Sequence, residues 1–167
     1  MKEYFTEAIV LDKEPSGDFD ARVHLYTKEL GRVVGKVTSA RKITSKLNAH
    51  LEPLNIIDVR IVNKNNFQIV DALRKNRLPP KFLNIVRLIK ELTAENDPDY
   101  SLWSLLMILG QQNEPRLSLV LANLGFAPES ASCENCGVSP EFFSPKELIF
   151  YCKQCLPAGL LNCFVVY

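Results

Sequence analysis

The sequence has little of what most enzymes and membrane proteins require. Only two of its 167 residues are histidines. It has no G-x-x-x-x-G-K-[ST] phosphate loop, no G-x-G-x-x-G dinucleotide motif and no G-x-S-x-G nucleophile elbow. No uncharged stretch approaches the roughly 20 apolar residues of a membrane span, and no apolar signal core follows the first residues. We therefore expect a soluble cytoplasmic protein that is not an enzyme.

Neither histidine has a neighbour in sequence that would make it a nucleophile's partner or a metal ligand. His24 alternates with apolar residues on a predicted strand, so we expect it on the solvated face of that strand. His50 lies in a polar link. An acidic cluster does not match a calcium-binding loop and is interpreted as a solvated turn. Its members are Asp12, Glu14, Asp18 and Asp20.

A formal net charge of +1 hides an uneven distribution of charge. Residues 32–80 hold ten basic and three acidic side chains, whereas the flanking segments are both acidic. This basic segment is interpreted either as a solvated sheet surface or as a surface that contacts phosphates. It contains one aromatic residue, Phe67, so base stacking would contribute little to binding. The candidate contacts are Lys36, Arg41, Lys42 and Lys46, supported by Arg32, Arg60 and Lys64.

The chain up to residue 74 alternates apolar and polar residues with the period of β-strands. The pattern predicts five strands, with one long polar link over residues 39–52. Five antiparallel strands with a longer link after the third form the layout of an OB-type barrel. An open sandwich and an SH3-like barrel also fit this pattern. The predicted strands cover residues 5–12, 22–27, 32–38, 54–62 and 67–72.

Leu78-Pro79-Pro80 ends the strand pattern, and the apolar period then changes to that of a helix. Three short helices are predicted, with Gly125 just past the end of the third. The sequence therefore predicts an α+β fold in which a five-stranded OB-type barrel over residues 1–77 precedes a small helical domain over residues 78–167. The apolar stripes of the three helices begin at Ile85, Leu102 and Leu117.

Four of the five cysteines form two pairs with the spacing C-x2-C-x15-C-x2-C. Two residues between thiolates let one tight turn present both sulfurs to an ion, and two such turns complete a tetrahedron. Disulfides are the alternative, but they do not fit a chain without a secretion signal. We predict one structural Zn²⁺ per chain, bound by Cys133, Cys136, Cys152 and Cys155. Cys163 has no partner in this spacing and is expected to be a buried free thiol.

Several stretches, which run from Glu7-Ala8-Ile9-Val10-Leu11 to Cys133-Glu134-Asn135-Cys136-Gly137, resemble in their order the bacterial RecO family of DNA repair proteins. The resemblance covers roughly residues 5–156, and this chain is expected to be a short version in which the helices that follow the second cysteine pair are missing. The matching stretches are Glu7-Ala8-Ile9-Val10-Leu11, Gly17-Asp18-Phe19-Asp20, residues 25–32, Ala40-Arg41-Lys42, Leu51-Glu52-Pro53-Leu54 and Leu124-Gly125-Phe126-Ala127-Pro128, which leads into Cys133-Glu134-Asn135-Cys136-Gly137.

The resemblance implies a recombination mediator that binds single- and double-stranded DNA. Such a protein anneals complementary single strands without ATP and loads RecA together with RecR in the cytoplasm, at the nucleoid. The resemblance also implies binding of the acidic tail of single-strand-binding protein, for which Arg87, Lys90 and Arg116 are the cations on helices. Two other interpretations remain open from the residues: a zinc-stabilised protein–protein adaptor, and an RNA-binding module without annealing activity.

Overall fold

Five strands close into a barrel in the first part of the chain. The computed structural model describes residues 1–39, 46–159 and 163–166. Around the barrel the order is β1, β2, β3, β5, β4, and β4 returns to β1. All pairs are antiparallel except β3 with β5, which join in parallel at Lys36 and Gln68. The strands are β1 (Lys2–Ser16), β2 (Asp20–Thr27), β3 (Gly31–Val37), β4 (Asn55–Asn63) and β5 (Phe67–Arg77).

This strand order confirms the predicted OB-type barrel and the α+β class. The period-2 alternation places every second side chain inside, where thirteen residues form one buried cluster. In β1 the four consecutive residues 8–11 are all buried, because the outer face of this strand is covered as well. The core residues are Ala8, Val10, Ala21, Val23, Leu25, Val33, Val37, Leu51, Ile57, Val59, Ile61, Ile69 and Ala72.

Helix α1 (Leu83–Leu92) covers the outer face of β1 and β2. Its Lys90 Nζ donates hydrogen bonds to Asp12 Oδ2 at 2.5 Å and to Glu14 Oε1 at 2.8 Å. His24 is paired with Asp12 in the β1–β2 register, and its side chain is only 12% exposed. The expected solvated face for His24 is therefore wrong, and Asp12 and Glu14 attach α1 to the barrel instead of forming a free turn.

The predicted strands lie in the right places, but three of them, β1, β2 and β5, are longer than the pattern indicates. β1 continues to Ser16 and β5 to Arg77 through charged residues, because the backbone ladder continues whatever the side chains are. Leu54, predicted to begin the fourth strand, has a φ of 75° and donates its N–H to Val10 O at 2.9 Å. The predicted link residues 40–45 lie outside the described residues.

The later part of the chain holds two helices and a small sheet. The helices are α2 (Tyr100–Gln112) and α3 (Leu117–Asn123), and Gly125, with a φ of 91°, follows the end of α3 as predicted. The sheet is formed by β6 (Phe142–Ser144) between β7 (Ile149–Tyr151) and β8 (Phe164–Val165). The buried Phe143 ring lies 5.0 Å from the Phe126 ring and 4.8 Å from the Phe150 ring.

The chain divides into two compact units, residues 1–103 and 104–167, so the division falls within α2. In the first unit Trp103 is buried and stacks on Tyr26, with ring centroids 6.4 Å apart. Trp103 is thus part of the core of this unit. The predicted domain boundary after residue 77, where β5 ends, stays a prediction.

None of the helices in the described ranges combines the length and apolar character of a membrane span.

Candidate metal centre and nucleic-acid interface

Two tight turns of the second unit bring the four paired cysteines together. In the first turn Gly137 N–H donates to Cys133 O at 2.9 Å, and Gly137 has a φ of 74°. In the second turn Leu156 N–H donates to Cys152 O at 3.1 Å without a positive φ. The second turn therefore closes with the same hydrogen bond as the first, although it has leucine where the first has glycine.

The four sulfur atoms converge on one point. All four Sγ atoms lie within 4.8 Å of one another, and Cys136 Sγ lies 3.6 Å from Cys152 Sγ. Sulfurs around a tetrahedral zinc, with Zn–S bonds of about 2.3 Å, are about 3.8 Å apart. Cys133 and Cys152 are buried, whereas Cys136 is exposed. The cluster can hold a metal ion, and its set of four sulfur donors fits zinc.

Hydrogen bonds inside the cluster separate the pKa values of the thiols. Backbone N–H groups, above all that of Cys152, lower the pKa of Cys133 to about 6. Hydrogen bonds with Cys136 and Cys152 raise the pKa of Cys155 to about 12. Thiols this close cannot all ionise unless a cation offsets their charge, so the chemistry of the donor set favours a bound divalent metal. Cys163 lies outside the cluster and is half-buried rather than buried.

A groove with a volume of 750 Å³ crosses the outer face of β2 and β3. Its floor includes Arg22 and His24 from β2 and Lys36 from β3. The turn between β4 and β5 closes one side with amide side chains that can donate to phosphate oxygens. OB-type barrels bind oligonucleotides on this face and with this turn. The amides are those of Asn63, Asn65 and Asn66.

Two cations lie side by side in this groove. Arg22 and Lys36 are directly opposite each other in the antiparallel β2–β3 register. Lys36 Nζ lies 2.8 Å from Asp20 Oδ2, and its side chain is still 53% exposed. Arg22 is exposed and makes no ion pair with any described residue. Like charges placed directly opposite each other repel, so this pair favours an anion between them.

The structure brings only some of the sequence-predicted cations near the groove. Lys36 lines it, and Lys64 lies in the β4–β5 turn between two lining asparagines and is exposed. Lys46 is exposed within the long link. Arg41 and Lys42 lie outside the described residues.

Arg32 and Arg60 are both engaged in contacts within the barrel unit, and Glu95, the partner of Arg32, itself lines the groove. Arg32 is 17% exposed, and its Nε donates to Thr93 O at 2.8 Å while its Nη1 lies 3.2 Å from Glu95 Oε1. Arg60 Nε donates to Glu3, and the guanidinium lies 5.6 Å from the centre of the Phe5 ring. These contacts favour a structural role for Arg32 and place Arg60 on a different side of the barrel from the groove.

Sequence reasoning missed Arg22, His24 and the amide side chains of the groove. Arg22 belongs to the acidic first segment, so a count of charge by segment passes over it. The alternation of β2 could have indicated both residues, because it puts Arg22 and His24 on one face of the strand. His50 has a structural contact: its Nδ1 accepts a hydrogen bond from Arg74 N–H at 3.1 Å.

The three cations predicted on helices also differ in availability, and Arg116 directly precedes α3 instead of lying within it. Lys90 is held by Asp12 and Glu14, and Arg116 pairs with Glu114 at 2.6 Å. Arg87 is exposed on α1 and makes no ion pair within the described part of the chain. Of these three residues, Arg87 is therefore the one free to meet an acidic partner.

Residues 1–74 match the family described as "Recombination protein O N terminal". Over 95% of its length the chain is 31% identical to the DNA repair protein RecO of Thermobifida fusca, of which it covers 76%. It is 29% identical over 91% of its length to the DNA repair protein RecO of Thermodesulfovibrio yellowstonii. It is 27% identical over 92% of its length to the DNA repair protein RecO of Dehalococcoides mccartyi. The chain covers 70% of the length of each of these last two relatives. The chain therefore belongs to the RecO family of DNA repair proteins.

Proposed function

We propose that this protein is a DNA-binding recombination mediator in DNA repair. It anneals complementary single strands without ATP and, together with RecR, loads RecA onto single-stranded DNA. It acts as a binding protein rather than an enzyme, in the cytoplasm and in association with the nucleoid, where its DNA substrates are. Membership of the RecO family and the cationic groove on the barrel support this proposal.

The observation that carries the proposal is the like-charged pair Arg22 and Lys36 on the groove floor. Two cations directly opposite each other destabilise a sheet, and Asp20 pairs with the lysine. A phosphate bound between them would relieve the repulsion. The groove amides can donate to further phosphate oxygens without reading the base sequence. We therefore assign the groove to the DNA backbone.

Annealing requires two negatively charged strands to approach each other. Cations that neutralise one backbone reduce the repulsion of the second, so charge matters more here than base recognition. Binding should therefore be independent of sequence and sensitive to salt. The exposed Lys46 would add to this cationic surface, and Arg41 and Lys42, which lie outside the described residues, stay candidate contacts from the sequence alone.

The groove assignment predicts a change in salt dependence. For single strands, log K falls with log salt by about 0.7 for each phosphate neutralised. The triple variant Arg22→Gln, Lys36→Gln and Lys64→Gln should therefore flatten the slope by about 2. The slope is measured by fluorescence anisotropy of a labelled single strand across a salt series. The rate of annealing without ATP should fall in the same variant.

A matched control removes the same charge from three exposed residues of the barrel unit that do not line the groove, Arg74, Arg77 and Lys81. If this control flattens the slope as much as the groove variant, binding follows total charge and the groove assignment is wrong.

Replacing Arg41, Lys42 and Lys46 by Ala tests the contribution of the link separately. An RNA strand of the same sequence, used as competitor, tests the alternative of an RNA-binding module. Binding to neither nucleic acid would favour the alternative of a protein–protein adaptor.

We further propose that Arg87 contributes to binding the acidic tail of single-strand-binding protein. The proposal rests on its exposure and on the ion pairs that already occupy Lys90 and Arg116. Arg87→Gln should weaken binding of a tail peptide at low salt, measured by isothermal titration calorimetry. Arg116→Gln is the control and should have a smaller effect. Equal effects of the two substitutions would contradict the assignment.

We propose that the four-cysteine cluster binds one structural zinc ion. Cys133, Cys136, Cys152 and Cys155 would occupy all four tetrahedral positions and leave none for a substrate. The metal would therefore stabilise the second unit rather than take part in chemistry. Elemental analysis of protein purified without chelator should find one zinc per chain.

A further inference from the structure

We propose that a cleft on the β1–β4–β5 side of the barrel docks a partner protein. The partner would present an apolar side chain as an anchor, flanked by arginine or lysine residues. The cleft has a volume of 470 Å³ and shares no lining residue with the β2–β3 groove. The proposal therefore concerns a second surface and does not rest on the DNA-binding function.

The apolar part of the cleft is unusually exposed for strand residues. Phe5 on β1 is 68% exposed and Leu73 on β5 is 61% exposed. Both have a direct partner on β4, because Phe5 pairs with Arg60 and Leu73 pairs with Asp58. The two apolar side chains thus flank the same stretch of β4 from either side. Exposed apolar residues that line a common cleft mark interaction sites more often than single scattered ones do.

The charge of the cleft is the reverse of the charge in the groove. Its lining holds four carboxylates and two cations, Lys28 and Arg60. The guanidinium of Arg60 is already offset by Glu3. Within the described residues Glu29 and Asp71 make no ion pair, so their charge remains for a partner. The carboxylates are those of Glu7, Glu29, Asp58 and Asp71.

These charges select the class of occupant. The net negative charge of this lining favours an occupant with cationic side chains over a nucleic-acid backbone. Arginine or lysine residues on the partner can pair with Glu29 and Asp71 while an apolar side chain enters between Phe5 and Leu73. Interface energy commonly concentrates in such a central apolar anchor with a polar rim. The chain could then hold DNA in its groove and the partner in its cleft at the same time.

The test uses a fluorescein-labelled peptide with a leucine–phenylalanine centre and two arginines on each side. Its binding is measured by fluorescence anisotropy at low salt. Leu73→Ser should weaken binding about tenfold, because the anchor loses its apolar wall. Val70→Ser is the matched control, since Val70 is 42% exposed on the same strand but does not line the cleft. Asp71→Lys should weaken binding, whereas Glu91→Lys on α1 should not.

Each outcome supports or overturns the proposal. Loss of affinity in Leu73→Ser and Asp71→Lys, with both controls unchanged and circular dichroism intact, supports it. Equal losses in Val70→Ser, or equal binding of a peptide whose leucine and phenylalanine are replaced by glycine, overturn it. Sedimentation velocity tests whether the occupant is a second copy of this chain. If the parent protein is an oligomer that does not bind the peptide, and Leu73→Ser dissociates this oligomer, the cleft is a self-association surface and the proposal is overturned.

Discussion

The barrel and the cysteine-bearing unit obtain their stability in different ways. Thirteen buried apolar residues fill the barrel, and its strands extend for as many as 15 residues. The sheet of the second unit has strands of three, three and two residues, which are too short to be stable by pairing alone. Burial of apolar surface therefore stabilises the barrel, whereas under our proposal the bound metal would stabilise the sheet. Each can be perturbed while the other serves as the reference.

Removal of one metal ligand should have the largest effect and should fall on the second unit alone. Structural zinc contributes an apparent binding free energy of about 10–16 kcal/mol at neutral pH. Cys152→Ser should therefore abolish stoichiometric zinc and expose the amides of β6 and β7 to hydrogen exchange. The barrel amides should keep their protection.

The control for this experiment is Cys163→Ser, because Cys163 lies outside the cluster. This variant should retain one zinc per chain by elemental analysis. Loss of protection throughout the barrel in Cys152→Ser would show that the two units are not independently stable.

The next largest effect is expected for the reverse experiment, a cavity in the barrel core. Ile57 on β4 is completely buried, and a change of a buried isoleucine to alanine costs about 2–5 kcal/mol. Ile57→Ala should lower the urea concentration at the midpoint of barrel unfolding, which is measured by the fluorescence of Trp103. It should leave the zinc content unchanged. Val70→Ala, at an exposed position on β5, should shift the midpoint little. A fall in zinc content in Ile57→Ala would contradict the separation of the two units.

A smaller effect is expected where the barrel backbone meets another segment of its own unit. Gly31 has a φ of 66°, and a Cβ at this position would lie 2.2 Å from Asp97 O. Gly31→Ala should therefore cost the strain of a left-handed residue, about 1–3 kcal/mol, and a steric clash in addition. Gly17, with a φ of 68° and open space around it, supplies the matched control Gly17→Ala. Equal losses of stability by urea denaturation would mean that the loop at Asp97 moves aside without cost.

The smallest effect is expected at the contact that fixes α1 to the barrel. Burial opposes the ionisation of Asp12, but the hydrogen bonds from Lys90 and from Lys13 N–H outweigh it and hold its pKa below 3.8. The hydrogen bond from Lys90 likewise keeps the pKa of Glu14 below 4.5. Because the partners are partly exposed, Lys90→Met should cost only about 1 kcal/mol.

The same contact sets the dependence of stability on pH. Carboxyls with lowered pKa values stabilise the fold above their unfolded pKa values of 3.8 and 4.5, and this stability is lost as the pH falls through the lower folded values. Burial, and then the charge of Lys90, lower the pKa of His24 below 6.5, so stability also falls as the pH drops below 6.5. Lys90→Met should flatten both declines in urea midpoints measured from pH 7 to pH 3. Parallel profiles would show that this contact is not coupled to folding.

The sequence was sufficient for the features that depend on local pattern. The period-2 alternation predicted five strands because each side of a strand meets a different environment. Their order, together with the long link, indicated the barrel. The spacing of the cysteines predicted the cluster because two residues between thiolates fit one turn, and the four Sγ atoms lie within 4.8 Å of one another.

The features that escaped the pattern depend on contacts between distant residues. Lys90 meets Asp12 and Glu14 only after the barrel has formed and α1 has packed on it. The pairing of Arg22 with Lys36 depends on the register of two strands, which a count of charge by segment does not contain. The extension of β5 to Arg77 depends on the backbone of β4, since its side chains beyond residue 72 are exposed.

The central place of β1 in the barrel has a consequence for the growing chain. β1 pairs with β4, so that Lys2 meets Asn63, and its outer face is covered by α1, which ends at Leu92. At about 5–20 residues per second, the apolar run at residues 8–11 waits about 4–16 seconds for these partners to be synthesised. A hairpin of β1 and β2 alone is only marginally stable in water. The ribosome-bound chain therefore carries an apolar segment that a nascent-chain chaperone can recognise until β4 and α1 have been synthesised.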